Sequence, residues 1–196
     1  KNLIDTVWAD QPQRPTGTVE IFAEKFAGRT TAQKQSLITA WLKNEGLDAF
    51  VFSAPDSIAW LFNLRSTDVE FTPLLLGYAL LTAQGSGTLF IEPAKITSAL
   101  KTYLGERITL AAYDGVNAEL INRKDEMKVV GVDRDTGSRW LVDCLKTAGF
   151  EARITGDPCT AIKAQKTKDE LAGVRDAHVR DGAALVALLQ GVVQFL

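Results

Sequence analysis

The chain has 196 residues, with 22 Lys and Arg against 24 Asp and Glu and 46% hydrophobic residues, an ordinary globular composition long enough to bury a sizeable core. A formal net charge of -2 supplies no broad positive field, and no basic run is interleaved with aromatics, which argues against a nucleic-acid partner. Two cysteines, Cys144 and Cys159, and a single histidine, His178, exclude a disulfide framework, a Cys-x-x-Cys site and an imidazole-built zinc centre from this chain alone. There is no signal-type apolar core, no membrane partner is expected, and the plain compartment is the reducing cytoplasm. The chain opens Lys1-Asn2-Leu3 without Met and stops at Val193-Gln194-Phe195-Leu196 inside an apolar helical pattern, which reads as a piece of a longer protein.

Residues 1 to 26, punctuated by Pro12, Pro15 and Gly17, have no sustained period and read as a strap lying over the domain. Thr30 and Thr31 are N-cap candidates; from Lys34, residues Leu37, Ile38, Trp41 and Leu42 recur at helical spacing until Gly46 supplies the stop. Asp48 to Ser53 is an apolar run ended by Pro55, a buried strand, and Ser57 to Leu64 resumes a helical pattern. Leu74 to Thr82 and Thr88 to Ile91 flank Gln84-Gly85-Ser86-Gly87, a hairpin composition.

A helix over Ile96 to Leu104, a strand over Ile108 to Tyr113 and a short helix over Val116 to Asn122 follow. Then come a strand at Val129 to Val132, a helix from Ser138 to Ala148 and a strand around Phe150 to Ile154. This alternation, with the hairpin, predicts an α/β fold: a mixed parallel and antiparallel sheet flanked by helices. Asp157-Pro158 marks a boundary that divides the chain into a domain over 1–157 and a second segment over 158–196. In that segment Thr167 caps a long helix carrying Leu171, Val174, Leu185, Leu188, Leu189 and Val192 on one side, the expected opening helix of another domain.

Few constellations carry chemistry. Gly85-Ser86-Gly87 lacks the spacing and the following Lys-Ser/Thr of a phosphate loop, so a hairpin is expected. Asp133 and Asp135 end a strand where carboxylates can converge on a hard cation. Arg134 lies between them and Arg139 nearby, and a solvated turn with Asp135 or Thr136 capping the next helix is the better reading. His178, on a charged helical face, reads as a surface or packing residue. In Trp60-Leu61-Phe62-Asn63-Leu64-Arg65 with Asp68, an aromatic helix end delivers an Arg and an Asp to one loop. Arg65 is then either a ligand for a carboxylate or carbonyl, or one half of an Arg65–Asp68 bridge shaping the loop. Trp41 and Trp60 are expected in packing.

Leu3-Ile4-Asp5-Thr6-Val7-Trp8-Ala9-Asp10 with Pro12 and Pro15, Ala27-Gly28-Arg29-Thr30, and Ile58 to Arg65 with Asp68 together resemble the middle domain of the long, three-domain Xaa-Pro aminopeptidases (aminopeptidase P). Lys163, Lys168, Glu170, Gly173, Arg175, Ala177-His178 and Arg180 to Leu185 resemble the start of the same enzymes' pita-bread catalytic domain. Ser66-Thr67 departs from the Gly that the family tends to place after the Arg, and Thr72-Pro73 stands where Asn-Pro is common.

The resemblance implies a creatinase/prolidase N-terminal fold. It also implies a parent metallopeptidase that removes the residue preceding proline, using two divalent ions, manganese by family habit, held by two Asp, one His and two Glu. None of those ligand motifs occurs here, so the expectation is no catalytic residue, no metal ligand and no cofactor in this chain. What is expected instead is a non-catalytic substrate-gating and assembly domain, with Arg65 and Asp68 as substrate-binding candidates. Its expected partners are a proline-containing peptide, its own catalytic domain and further copies in a homo-oligomer. The alternative is a stand-alone ligand- or protein-binding module with a creatinase-like fold.

Overall fold

The computed structural model describes residues 4–193, so Lys1-Asn2-Leu3 and Gln194-Phe195-Leu196 lie outside the described residues, as do the side chains of Asp5 and Val193. The strap contains α1 (Ile4–Val7), β1 (Val19–Ile21) and α2 (Glu24–Ala27). It is pinned by Arg14, which donates to Glu92 Oε1 at 3.0 Å and Asp114 Oδ1 at 2.9 Å and lies over the Tyr113 ring at 4.3 Å. The helix after it, α3 (Thr31–Asn44), begins at a capping box: Thr30 Oγ1 accepts from Gln33 N, and the Gln33 side chain accepts from Thr30 N. The next elements are β2 (Ala49–Phe52), α4 (Pro55–Leu61), β3 (Leu64–Ser66), β4 (Tyr78–Thr82), β5 (Gly87–Ile91), α5 (Ser98–Leu104), β6 (Ile108–Ala112), α6 (Val116–Asn122), β7 (Val129–Asp133), α7 (Arg139–Thr147) and β8 (Glu151–Thr155). The last two are α8 (Pro158–Ala164) and α9 (Lys168–Val193).

Six strands form one sheet in the order β6-β5-β4-β2-β7-β8, in which β4 alone runs against the other five. That is the expected mixed sheet. Its four inner strands, β5, β4, β2 and β7, are buried on both faces, which is why they read as unbroken apolar runs, while the edge strands β6 and β8 are partly exposed. Successive side chains divide between two cores. Phe50, Phe52, Ala79, Leu81, Leu89 and Ile91 pack under Ile38, Leu42, Ile58, Leu61 and Leu100 of α3, α4 and α5. Val51, Leu80, Phe90, Val130 and Val132 pack under Val116, Leu120, Leu141 and Leu145 of α6 and α7. Burying each large side chain contributes about 1.5–3 kcal/mol, so these two layers hold the three-layer architecture.

Several local expectations change. The helical pattern of Ser57 to Leu64 ends at Leu61: Asn63 adopts a left-handed φ of 48°, and Leu64 leaves to pair with β1 in a two-stranded antiparallel sheet, Val19↔Ser66 to Ile21↔Leu64. The strand expected from Leu74 starts only at Tyr78, because the Leu76 N–H is taken by the Asp68 carboxylate rather than by a neighbouring strand. Ser138, not Asp135 or Thr136, caps α7, accepting from Leu141 N at 3.3 Å. Helix α8, led by Pro158 and capped by Asp157, fills what was read only as a boundary. The hairpin is as expected, with Gly85 at φ 85° and Thr82 N donating to Ser86 O at 2.8 Å.

The centre of the sheet tolerates one residue type. Gly131 pairs with Phe50 across β2 and β7, and a Cβ there would lie 2.6 Å from Phe50 Cδ2 and 3.0 Å from Leu47 Cδ1. Phe50 cannot retreat, since Phe52 packs against it at a tilt with ring centroids 4.8 Å apart and Trp41 meets it edge-on at 6.1 Å. Gly131→Ala is therefore expected to destabilise by about 1–3 kcal/mol in urea unfolding. Adding Phe50→Leu should recover part of the loss. An unchanged midpoint for the single variant would contradict this packing.

Candidate functional site

The left-handed turn at Asn63 is the joint that sets Arg65. Its Nδ2 donates to Arg29 O at 2.9 Å, its backbone O accepts from Phe22 N at 2.7 Å, and its Oδ1 accepts from Lys34 Nζ at 2.6 Å. Lys34 Nζ also donates to Trp60 O at 3.0 Å and sits 4.5 Å from the centroid of the Trp60 ring. One ammonium thus links the strap, α3, the end of α4 and β3. Beyond the joint Arg65 lies half-buried, its guanidinium 4.2 Å over the Phe22 ring and donating to Leu64 O at 2.8 Å and Ala59 O at 3.3 Å.

Of these residues Phe22, Lys34, Trp60 and Arg65 line a cleft of about 580 Å³ whose far wall is α9. Phe22, Phe26, Trp60 and Val174 provide apolar surface; Lys34, Arg65, Lys166 and Arg180 provide four cations against the carboxylates of Glu170 and Asp176. The start of α9 is fixed by the Thr167–Glu170 capping box and by Gly28, where a Cβ would lie 1.9 Å from Thr167 Oγ1. Arg65, predicted as a ligand-facing residue, lines this cleft. Lys34 was missed as a site residue, although its spacing of four and eight residues from Ile38 and Leu42 places it on their buried face.

Asp68 stands elsewhere. Its side chain is fully buried, paired with the equally buried Lys95, and it accepts from Leu76 N at 2.8 Å. No Arg65–Asp68 bridge forms, because the Asp68 carboxylate is paired with Lys95 and buried, while the Arg65 guanidinium lies over Phe22. Asp68 Oδ1 has no hydrogen-bond partner among the described residues. Removing one member of such a buried pair costs about 3–5 kcal/mol, so Asp68 and Lys95 anchor the β3–β4 loop. At its tip Phe71, with φ 59°, is 96% exposed.

A third group of polar residues gathers at the C-terminal ends of β2, β7 and β8. Asp133 is buried rather than in a solvated turn; it accepts from Thr136 N and Oγ1 and from Asp157 N, while Asp135 is exposed and Asp56 pairs with Lys163. Asp157 accepts from Cys159 N at 2.7 Å, and burial raises its pKa against the pull of that bond and of Ser57. Among the described residues no three His, Cys, Asp or Glu side chains are placed to hold a metal ion. His178 is exposed on α9. Cys144 and Cys159 are buried free thiols whose pKa values burial raises. Trp60 is buried, and Trp41 packs against the same core. No described helix is long and apolar enough to cross a membrane.

Residues 10–170 match the Creatinase/Prolidase N-terminal domain family. The chain belongs to that family. As a creatinase/prolidase N-terminal domain it is 32% identical over 197 residues to a protein of Ajellomyces capsulatus (strain H143) called a probable Xaa-Pro aminopeptidase P, covering 94% of this chain and 31% of that one. It is 35% identical over 198 residues to the protein of the same name in Podospora anserina, covering 94% and 28%. The chain thus spans about a third of the length of these curated relatives. The X-prolyl aminopeptidase of Caenorhabditis elegans, described as a cytosolic enzyme with a di-nuclear active site, superposes with a TM-score of 0.87 at 25% identity, over 99% of this chain and 32% of that one. The N-terminal domain of a cytoplasmic peptidase from Mycobacterium tuberculosis shares the fold alone, with a TM-score of 0.53 at 14% identity over 66% of this chain and 98% of that one.

Burial of the Lys34 ammonium lowers its pKa to about 8, helped by Arg65 and Arg29 and offset in part by Glu170. Because this pKa lies below the ordinary 10.5, the unfolded chain binds the proton more tightly in that window. The cost of hiding the charge is present in full below about pH 8 and is relieved as pH rises toward 10.5. The Tm of the wild-type chain relative to Lys34→Met is therefore expected to rise between about pH 7 and about pH 10. A difference that stays constant or falls would contradict the buried charge.

Proposed function

We propose that this chain is the non-catalytic middle domain of a metal-dependent Xaa-Pro aminopeptidase, joined through α9 to the start of that enzyme's catalytic domain, with the division near Asp157. The parent removes the N-terminal residue preceding proline. This domain walls the approach to the scissile bond, so that only a short extended chain end enters. Chemistry at a metal is indifferent to position along a peptide, and exclusion by a second domain supplies the missing selectivity.

The observation that carries this reading is the cleft itself. It joins the family fold to α9 and presents Arg65, which forms no ion pair among the described residues, toward open volume. The superposition on the C. elegans enzyme, which includes α9, supports the same arrangement. Arg65 binds substrate in this reading, and Asp68 contributes by holding the β3–β4 loop. The side of α9 carrying Leu185, Leu188, Leu189 and Val192 is 51–64% exposed, which suits coverage by the rest of the catalytic domain and disfavours a stand-alone module. Assembly into a homo-oligomer and a cytoplasmic location belong to the same proposal.

In this reading the two divalent ions are held by the rest of the parent enzyme; among the described residues Asp133 is committed to hydrogen bonds, Asp56 to Lys163 and Asp68 to Lys95. In the intact enzyme, Arg65→Gln is expected to lower kcat/KM for an Xaa-Pro peptide by about tenfold or more, with a Tm that falls only slightly for the lost bonds to Ala59 O and Leu64 O. A lowered Tm with normal turnover by the folded fraction would overturn the substrate-facing role.

A further inference from the structure

The cleft contains a charge imbalance that folding does not require. Lys34 is 2% exposed, yet both of its hydrogen-bond partners, Trp60 O and Asn63 Oδ1, are neutral. An ammonium has three N–H donors; two are used, and Lys34 lines the cleft. Arg65 likewise meets only carbonyls and an aromatic face. Among the described residues neither cation has a carboxylate within ion-pair distance. Glu170 offsets the Lys34 charge only in part; hiding a charge without a full counter-charge is unfavourable, and a ligand that brings the opposite charge relieves it.

The surroundings narrow the ligand. Lys34, Arg65, Lys166 and Arg180 line the cleft with Glu170 and Asp176, so its field favours an anion, and the apolar wall beside Lys34 and Arg65 favours an organic anion over inorganic phosphate. Phe22 and Phe26, with ring centroids 5.9 Å apart, and Val174 give an apolar bed beside the two cations. We propose that this cleft binds a single carboxylate carried on an apolar or aromatic body, the carboxylate meeting Arg65 and Lys34 and the body lying on Phe22 and Phe26. Arg65 offers the planar fork that suits a carboxylate, and Lys34 offers a point charge at the floor. Identifying the carboxylate with the free C-terminus of a short peptide rests on the aminopeptidase reading above; the binding itself does not.

The test is isothermal titration calorimetry of the 196-residue chain with 3-phenylpropionate, its uncharged amide 3-phenylpropanamide, and inorganic phosphate. The acid is expected to bind at one site with a Kd in the millimolar range or tighter, the amide about tenfold more weakly or worse, and phosphate not to displace the acid. Lys34→Met and Arg65→Gln should each weaken the acid about tenfold. Equal binding of acid and amide, displacement by phosphate, or no saturable binding would each overturn the proposal. Should Lys34→Met fail to fold, NMR titration of Lys34 in the wild-type chain decides: its midpoint should rise with the acid present and not with the amide. Acid binding that leaves the midpoint fixed would place the ligand elsewhere and overturn the site. The peptide identification is read separately by comparing cleavage of a free-acid and an amidated Xaa-Pro tripeptide by the intact enzyme. A preference for the free acid that Lys34→Met abolishes supports it. Equal cleavage overturns that clause alone and leaves the calorimetric result standing.

Discussion

A single ammonium group organises the side of the molecule where ligand chemistry is possible. Lys34 Nζ holds the end of α4 through Trp60 O and the turn beyond it through Asn63 Oδ1. Asn63 in turn holds Arg29 and Phe22. Without this node the left-handed backbone at Asn63 would lose the side-chain bonds that compensate its conformational cost. Strand β3 would not be aimed at β1, and Arg65 would not lie over Phe22. The floor of the cleft and the placement of its principal cation are therefore one interaction.

The node works because the rest of the fold is rigid around it. The β2–β7 pairing depends on Gly131 yielding space to Phe50, and Phe50 supports the face of the sheet that α3 covers. Beyond the end of β3, a second hidden lysine, Lys95, holds Asp68 and through it the β3–β4 loop. The two buried lysines thus have different tasks. Lys95 is neutralised by a carboxylate and only holds shape, whereas Lys34 has neutral hydrogen-bond partners and a charge at the cleft that Glu170 offsets only in part. That contrast, between a satisfied ion pair and a cation only partly offset, separates scaffold from site in this domain.

Much of this architecture is legible in the sequence. The buried strands β2, β5 and β7 announce themselves as apolar runs, the hairpin by its glycines, α3 and α9 by periodicity and caps, and α6 and α7 by periodicity. The caps of α6 and α7 were not legible: α6 has no side-chain cap among the described residues, and α7 is capped by Ser138 rather than by Asp135 or Thr136. The rest of what was not legible depends on partners distant in sequence. Strand β3 has only three residues and exists because β1, 43 positions or more away, pairs with it; no local pattern distinguishes it from one more turn of α4. Asp68 was paired with Arg65 by proximity in the chain, while its actual partner lies 27 residues on. Lys34 fell at a helix position where a charged residue is normally solvated, and only its alignment with Ile38 and Leu42 hinted at burial. The family motifs located Arg65, but the charge balance around it emerges only once α9 is folded against α2.

In the function proposed for it, this chain supplies walls, a cationic floor and a docking helix, and the atoms that break a peptide bond belong to another part of the parent enzyme. The most direct measurement is release of free amino acid from an Xaa-Pro peptide by the purified 196-residue chain, with manganese added and contaminating peptidase removed. The prediction is no release beyond the uncatalysed rate at any chain concentration. Release that scales with the amount of chain and persists through further purification would contradict it.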